Sequence, residues 1–160
     1  MNGIVLYGSF HGTTEYFAQL ISNTLGLQCE NVHNFNIQDI DLYDFFIIGS
    51  AIQKFKFHPA VNNFFNNNAD ALKNKKIFLF ISCYNPLILN DIFSQLNSEI
   101  QTSIKISMVL GGKINWKKLG FVEKLLVYGI SLIHKVKLKN FDSINLKRVD
   151  KFIDKIKKNL

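Results

Sequence analysis

Gly3-Ile4-Val5-Leu6-Tyr7-Gly8-Ser9-Phe10-His11-Gly12-Thr13-Thr14 is the stretch that decides how this chain folds. Gly3 to Tyr7 is a short apolar run with β-branched members. It predicts a buried strand, because a parallel strand covered on both faces need not alternate. Gly8 to Thr13 is a polar turn that carries glycine. From Thr14 onward Phe17, Leu20, Ile21, Thr24 and Leu25 recur at helical spacing, and Gly26 fits a left-handed stop.

The same alternation continues outward. Leu27 to Phe35 predicts a weak strand and Tyr43 to Gly49 a clear one. Pro59 suits the first turn of a helix running to about Asn68. Lys76 to Ser82 is another buried strand, followed by a Cys83–Leu87 loop and a helix from about Leu89 to Thr102. Ile104 to Leu110 is a fifth strand, closed by Gly111-Gly112. Leu146 to Ile156 places Val149, Phe152, Ile153 and Ile156 on one face of a closing helix. Strands alternating with helices imply a three-layer α/β sandwich with a parallel sheet. Right-handed crossovers at this size favour the strand order 2-1-3-4-5. No linker or repeat interrupts residues 1–160, so one domain is expected, with a helical insertion at about 113–140.

Composition narrows the class. The chain has 160 residues, 48% hydrophobic, with 2 Pro and 9 Gly, which excludes a disordered or low-complexity protein. Cys29 and Cys83 are too few for a disulfide scaffold, and the four His form no ligand pair at metal spacing. No metal site is expected. The N-terminus has neither a basic region nor a long apolar core, which predicts a cytoplasmic protein. The net charge of +7 is uneven: residues 1–100 hold five Lys against eight Asp and Glu, and residues 101–160 hold fourteen Lys and Arg against four. Aromatic residues do not interleave with this charge, so nucleic acid is not the expected partner.

In such a sheet, ligands bind at the carboxyl ends of the strands. Three loops qualify: Gly8–Thr14, Ser50–Phe57 and Cys83–Leu87. The first suits a phosphate. Free backbone N–H groups, a positive helix end and the hydroxyls of Ser9, Thr13 and Thr14 converge there. It holds no lysine and matches neither GxxxxGK[ST] nor GxGxxG, which disfavours a nucleoside triphosphate or NAD. The alternative is that Ser9, Thr13 and Thr14 only cap the helix.

Tyr7 to Thr14 resembles the FMN phosphate loop of flavodoxins, commonly (F/Y)-G-S-x-T-G-N-T. Ser9, Gly12 and Thr14 match, whereas His11 and Thr13 depart. The second loop, Ile48-Gly49-Ser50-Ala51-Ile52 with His58, Ala60 and Phe64, is similar to the flavodoxin-like subfamily of menaquinone-dependent protoporphyrinogen IX dehydrogenases. So are Ser82 and Asn85 after the fourth strand, and Gly111-Gly112-Lys113-Ile114 with Leu119 and Glu123-Lys124. Gln53 and Lys54 depart from the Arg and Tyr of that subfamily, and the loop after the fourth strand is shorter.

The resemblance implies a flavodoxin-like fold and an FMN cofactor. It implies that Ser9, Phe10, His11, Gly12, Thr13 and Thr14 hold the phosphate. Ser50, Ala51, Ile52, Gln53, Lys54 and Phe55 would meet the ring, together with Ser82, Cys83, Tyr84, Asn85, Gly111 and Gly112. A flat apolar ring needs walls, for which Tyr84 and Phe55 or Phe57 are candidates. Lys54 and Lys56 are candidates for the ring's pyrimidine edge, against a reading as solvated surface lysines. His58 precedes Pro59 and is expected to position its loop as a helix cap rather than to move protons. No catalytic residue is assigned.

Trp116 to Lys137 reads as a helix with a wide apolar half and Lys117, Glu123, Lys124, Ser131, His134 and Lys135 on the other. A basic amphipathic helix of this kind can lie at a membrane surface, here the inner face of the cell membrane. It can also pack on its own domain or in a homodimer. Three functions stay open on sequence alone. One is an FMN-dependent oxidoreductase of haem biosynthesis, taking a quinone or another apolar or anionic substrate. Another is an electron carrier serving a redox protein. The third is a binding module without flavin, to which His11 points.

Overall fold

The apolar runs become the strands of one twisted sheet. The computed structural model describes residues 1–113, 116–134 and 142–160. β1 (Gly3–Gly8), β2 (Gln28–Asn31), β3 (Phe45–Gln53), β5 (Lys76–Ser82) and β6 (Ile104–Gly111) lie parallel in the order β2-β1-β3-β5-β6. β4 (Lys56–Phe57) pairs antiparallel with the end of β3. With that two-residue strand set aside, the order is the expected 2-1-3-4-5, in a flavodoxin-like α/β sandwich.

Alternation along each strand divides the core in two. Ile4, Leu6, Phe46, Ile48, Ile77, Leu79 and Ile81 face α2 (Pro59–Asn67), α3 (Ala69–Leu72), α4 (Leu89–Phe93) and α5 (Ser98–Ser103). Val5, Phe45, Ile47, Phe78, Phe80 and Leu110 face α1 (Thr13–Leu25) and α7 (Leu146–Asn159). Both faces are covered, which is why these strands read as unbroken apolar runs. Gly49 lies directly opposite Phe80 across β3 and β5, and a Cβ there would run into the Phe80 ring. The missing side chain makes room for an aromatic in the central layer.

Several boundaries differ from expectation, for local reasons. β3 runs four residues past Gly49, because its end folds back on β4. The helix expected over Leu89–Thr102 is two helices. Asn97 breaks it: its Oδ1 accepts from the N–H of Ile100 at 2.8 Å and caps α5. β2 stops at Asn31, whose Oδ1 accepts from the N–H of His33. A 3₁₀ turn, Ile37–Leu42, then leads to β3.

α6 (Phe121–His134) follows a 3₁₀ turn at Trp116–Lys118. The remainder of the expected insertion, 114–115 and 135–140, lies outside the described residues. No helix among the described residues is long and apolar enough to cross a membrane.

Candidate functional site

Register brings the three loops together. Gly8 pairs with Ser50, Ala51 with Ser82, and Ser82 with Gly111, so the carboxyl ends of β1, β3, β5 and β6 stand side by side. Above them opens a cleft of about 420 Å³, within the range of small-molecule sites.

The β1–α1 loop forms its first wall. Gly12 adopts φ 92°, a left-handed conformation that costs a residue with a Cβ. No side chain caps α1. Ser9 Oγ instead accepts from the N–H of Gly12 at 3.0 Å, which closes the turn. Thr14 is fully buried, and its hydroxyl has no partner among the described residues. The capping alternative for Ser9, Thr13 and Thr14 therefore does not describe this loop. The first turn of α1 keeps its positive end for an anion. Below it the Tyr7 hydroxyl donates to Glu15 at 3.1 Å, and burial followed by that carboxylate raises the phenol to about 12.

The second wall is the β3–β4 hairpin. Lys54 and Phe55 occupy its tip at φ 51° and 58°. Two successive left-handed residues make the turn twist with its strands, normally the work of Asn-Gly. Gln95 Nε2 donates to the Phe55 carbonyl at 2.8 Å and holds the tip. Phe55 is left 62% exposed beside the cleft. Ser50 is buried beneath it; its Oγ accepts from the N–H of His58 at 2.9 Å and donates to the Ala51 carbonyl. His58 caps α2, its Nδ1 accepting from the N–H of Ala60, and burial lowers its pKa.

The β5 loop closes the third side. Ser82 is buried and its hydroxyl has no partner among the described residues. Cys83 Sγ donates to the Asn85 carbonyl at 2.9 Å, and burial pushes the thiol up to about 11. At neutral pH it is a thiol rather than a nucleophilic thiolate. Gly112 lets this loop rest on the sheet end, since a Cβ there would meet the Cys83 carbonyl carbon at 2.8 Å.

Fifteen expected positions divide cleanly from three. Ser9, Phe10, His11, Thr13, Thr14, Ala51, Ile52, Gln53, Lys54, Phe55, Ser82, Cys83, Tyr84, Asn85 and Gly112 line the cleft. Gly12 shapes the loop without lining it. Ser50 lies under the wall as the brace for His58. Gly111, at φ 108°, turns toward the backbone of Ser143, where a Cβ would collide with the Ser143 carbonyl. Phe57 is not a wall: it is buried in the core with its ring 6.2 Å from that of Phe65. Lys56 is exposed and off the cleft, whereas Lys54 lines it. Ile88, Lys113, Leu119 and Val127 were missed as wall residues. Leu119 and Lys113 stand in the sequence only as part of the family resemblance, and Val127 shares the helical face of Lys124 and Ser131, so the amphipathic pattern does not point to it.

A family model described as a flavodoxin domain matches residues 4–142. The chain belongs to the flavodoxin-domain family. No curated protein matches it. Among solved structures, the flavodoxin-domain chain is similar to a WrbA-like flavodoxin from Agrobacterium tumefaciens, with TM-score 0.57 and 14% identity over 85% of this chain and 99% of that one. It is similar to oxidised flavodoxin 1 from Bacillus cereus, with TM-score 0.51 and 18% identity over 86% and 100%. A flavoprotein from Lactobacillus acidophilus, solved in complex with FMN, gives TM-score 0.50 and 14% identity over 69% and 91%. At these identities the likeness is one of fold.

FMN is the cofactor that goes with the flavodoxin domain, and this cleft fits it. The uncapped end of α1 and the partnerless Thr14 hydroxyl suit a phosphate. The exposed rings of Phe10, Phe55 and Tyr84 stand at the rim and suit a flat ring system. The ionised side chains on the described wall are Lys54 and Lys113, and Lys113 is paired with Asp142 at 3.2 Å, so the charge on the wall that favours an anionic ligand is that of Lys54.

Proposed function

We propose that this flavodoxin domain is an FMN-dependent oxidoreductase acting between an apolar or anionic donor and a quinone acceptor. Protoporphyrinogen IX, an apolar tetrapyrrole with propionates, is the donor that best suits the cleft. The observation that carries this reading is the wall contributed by α6 and the approach to it. Leu119 and Val127 close the cleft with apolar surface, and Lys54 lines it as a cation, beside a Lys113 paired with Asp142.

When bound, FMN supplies one- and two-electron chemistry. The chain's own residues bind and orient. The α1 end and Thr14 would hold the phosphate. Phe55, on a tip held by Gln95, and Tyr84 would offer aromatic surface to the ring. His58 joins the first two loops. Cys83, held as a thiol, takes no part as a nucleophile.

The test is anaerobic turnover. Protein reconstituted with FMN is mixed with protoporphyrinogen IX and a water-dispersed menaquinone analogue, and porphyrin fluorescence is followed. Sustained turnover is expected. Absent turnover, with a redox titration resolving two one-electron steps, would establish the second reading, an electron carrier for a redox protein. The exposed aromatic rim, open to a docking protein, favours that second reading.

A further inference from the structure

α6 meets the cleft through Val127, while its exposed apolar side chains lie on another face of the helix. Leu119, in the approach to the helix, and Val127 turn inward. Phe121, Leu125, Tyr128 and Leu132 are 76%, 57%, 60% and 62% exposed, and their spacing places them on one stripe, with Val122 beside it at 63%. Five large apolar side chains in a row on water are not ordinary surface.

We infer that this stripe docks the domain on an anionic lipid bilayer. Charge decides the occupant. Residues 113–142 hold seven Lys against Glu123 and Asp142, and Asp142 is already paired with Lys113 at 3.2 Å. An anionic leaflet attracts such a segment by about fivefold per lysine near the surface. A second copy of the chain would instead bring two lysine-rich segments face to face. No described helix is long and apolar enough to cross the bilayer, so α6 lies in the interface, lengthwise, with Tyr128 at headgroup depth. The inner face of the same helix is a cleft wall. Docking therefore sets the cleft beside the layer that dissolves quinones, a consequence that rests on the flavin reading; the docking itself does not.

The test uses the full chain, with and without added FMN, and vesicles of phosphatidylcholine alone or mixed with phosphatidylglycerol. Trp116, the single tryptophan, opens the turn before α6 and reports the contact by its emission. Co-sedimentation and a blue shift are expected with the anionic vesicles, at least tenfold stronger than with neutral ones. Leu125→Glu with Leu132→Glu should weaken binding at least tenfold, with circular dichroism and FMN affinity unchanged. Lys124→Ser, which leaves the stripe intact, should weaken it about fivefold. Absence of anionic binding, equal binding by the double variant, or equal binding to both lipids would overturn the inference. So would a wild-type dimer that the double variant dissociates without any lipid binding, which would assign the stripe to a second copy. Loss of FMN binding alone, with vesicle binding intact, would count against the flavin reading only.

Discussion

The ring of Phe10 stands 4.4 Å from the imidazole of His58, inclined at 48°. Forty-eight residues separate them in the chain, yet they join the phosphate-type loop to the hairpin loop. His58 is fixed from below as well: its N–H donates to Ser50, and its Nδ1 accepts from Ala60. It also packs against Gly8, where a Cβ would meet Nδ1 at 2.6 Å. One imidazole thus sets the distance between two walls of the cleft.

That role depends on a neutral ring, since a protonated Nδ1 cannot accept from Ala60. Burial lowers the folded pKa of His58, below the ~6.5 of an unfolded histidine. Its contribution to stability is present above that value and is lost as pH falls through the lower folded pKa. Melting temperature measured from pH 7.5 downward should fall across this window. His58→Asn keeps a capping oxygen but cannot titrate, and its decline should be shallower.

Thr14 separates binding from folding. Its buried hydroxyl has no partner among the described residues. Thr14→Val should leave the melting temperature of the flavin-free protein unchanged or raise it, since it removes an unsatisfied buried group. FMN affinity, followed by fluorescence quenching, should weaken about tenfold, the worth of ~1.4 kcal/mol. A fall in stability with unaltered affinity would make Thr14 a packing residue.

Gly49→Ala should destabilise the domain by ~1–3 kcal/mol in urea unfolding, because the new methyl overlaps the Phe80 ring. Combining it with Phe80→Leu should recover part of that loss, a coupling a double-mutant cycle would measure. Strictly additive losses would mean that the two residues do not share the space.

The hairpin tip stores strain. Phe55→Gly should stabilise the protein by ~1 kcal/mol, since glycine adopts the left-handed conformation freely. It should also weaken FMN binding through loss of an aromatic wall. Calorimetry and flavin titration of the same variant check both signs.

Cys83 should react slowly with iodoacetamide at pH 7.5 and quickly in urea, since burial holds its pKa near 11. Cys83→Ala should leave turnover with FMN in place; a large loss would reveal a chemical role for the thiol.

The fold and much of the site were legible in the sequence because they rest on local signals. Apolar runs without alternation mark strands covered on both sides. Gly8 to Thr14 marks a strand–turn–helix phosphate cradle, and Ser82 to Asn85 follows the run at Lys76–Ser82. The hairpin after β3 was not legible. Lys54-Phe55 carries no turn signal, and the tip is held by Gln95, forty residues away. The break at Asn97 was available as a capping signal, but the helical spacing around it hid the interruption.

The destination of the positive charge shows the same division. Its concentration in the last sixty residues is a fact of sequence, and it points to the cleft edge. The fold sends part of it elsewhere. α7 runs back along the sheet, and Lys76, at the start of β5, donates to the Asn159 carbonyl at 2.8 Å. Lys157 and Lys158 therefore lie near the pole opposite the cleft. The sequence by itself determined the sheet, the order of its strands and the loops at their carboxyl ends, because hydrophobic period and turn chemistry act over a few residues. Only the tertiary structure decided that Ser50 braces His58, that Phe57 is core, and which face of α6 the cleft takes. Those depend on packing between residues far apart in the chain, where spacing carries no information about which neighbour arrives.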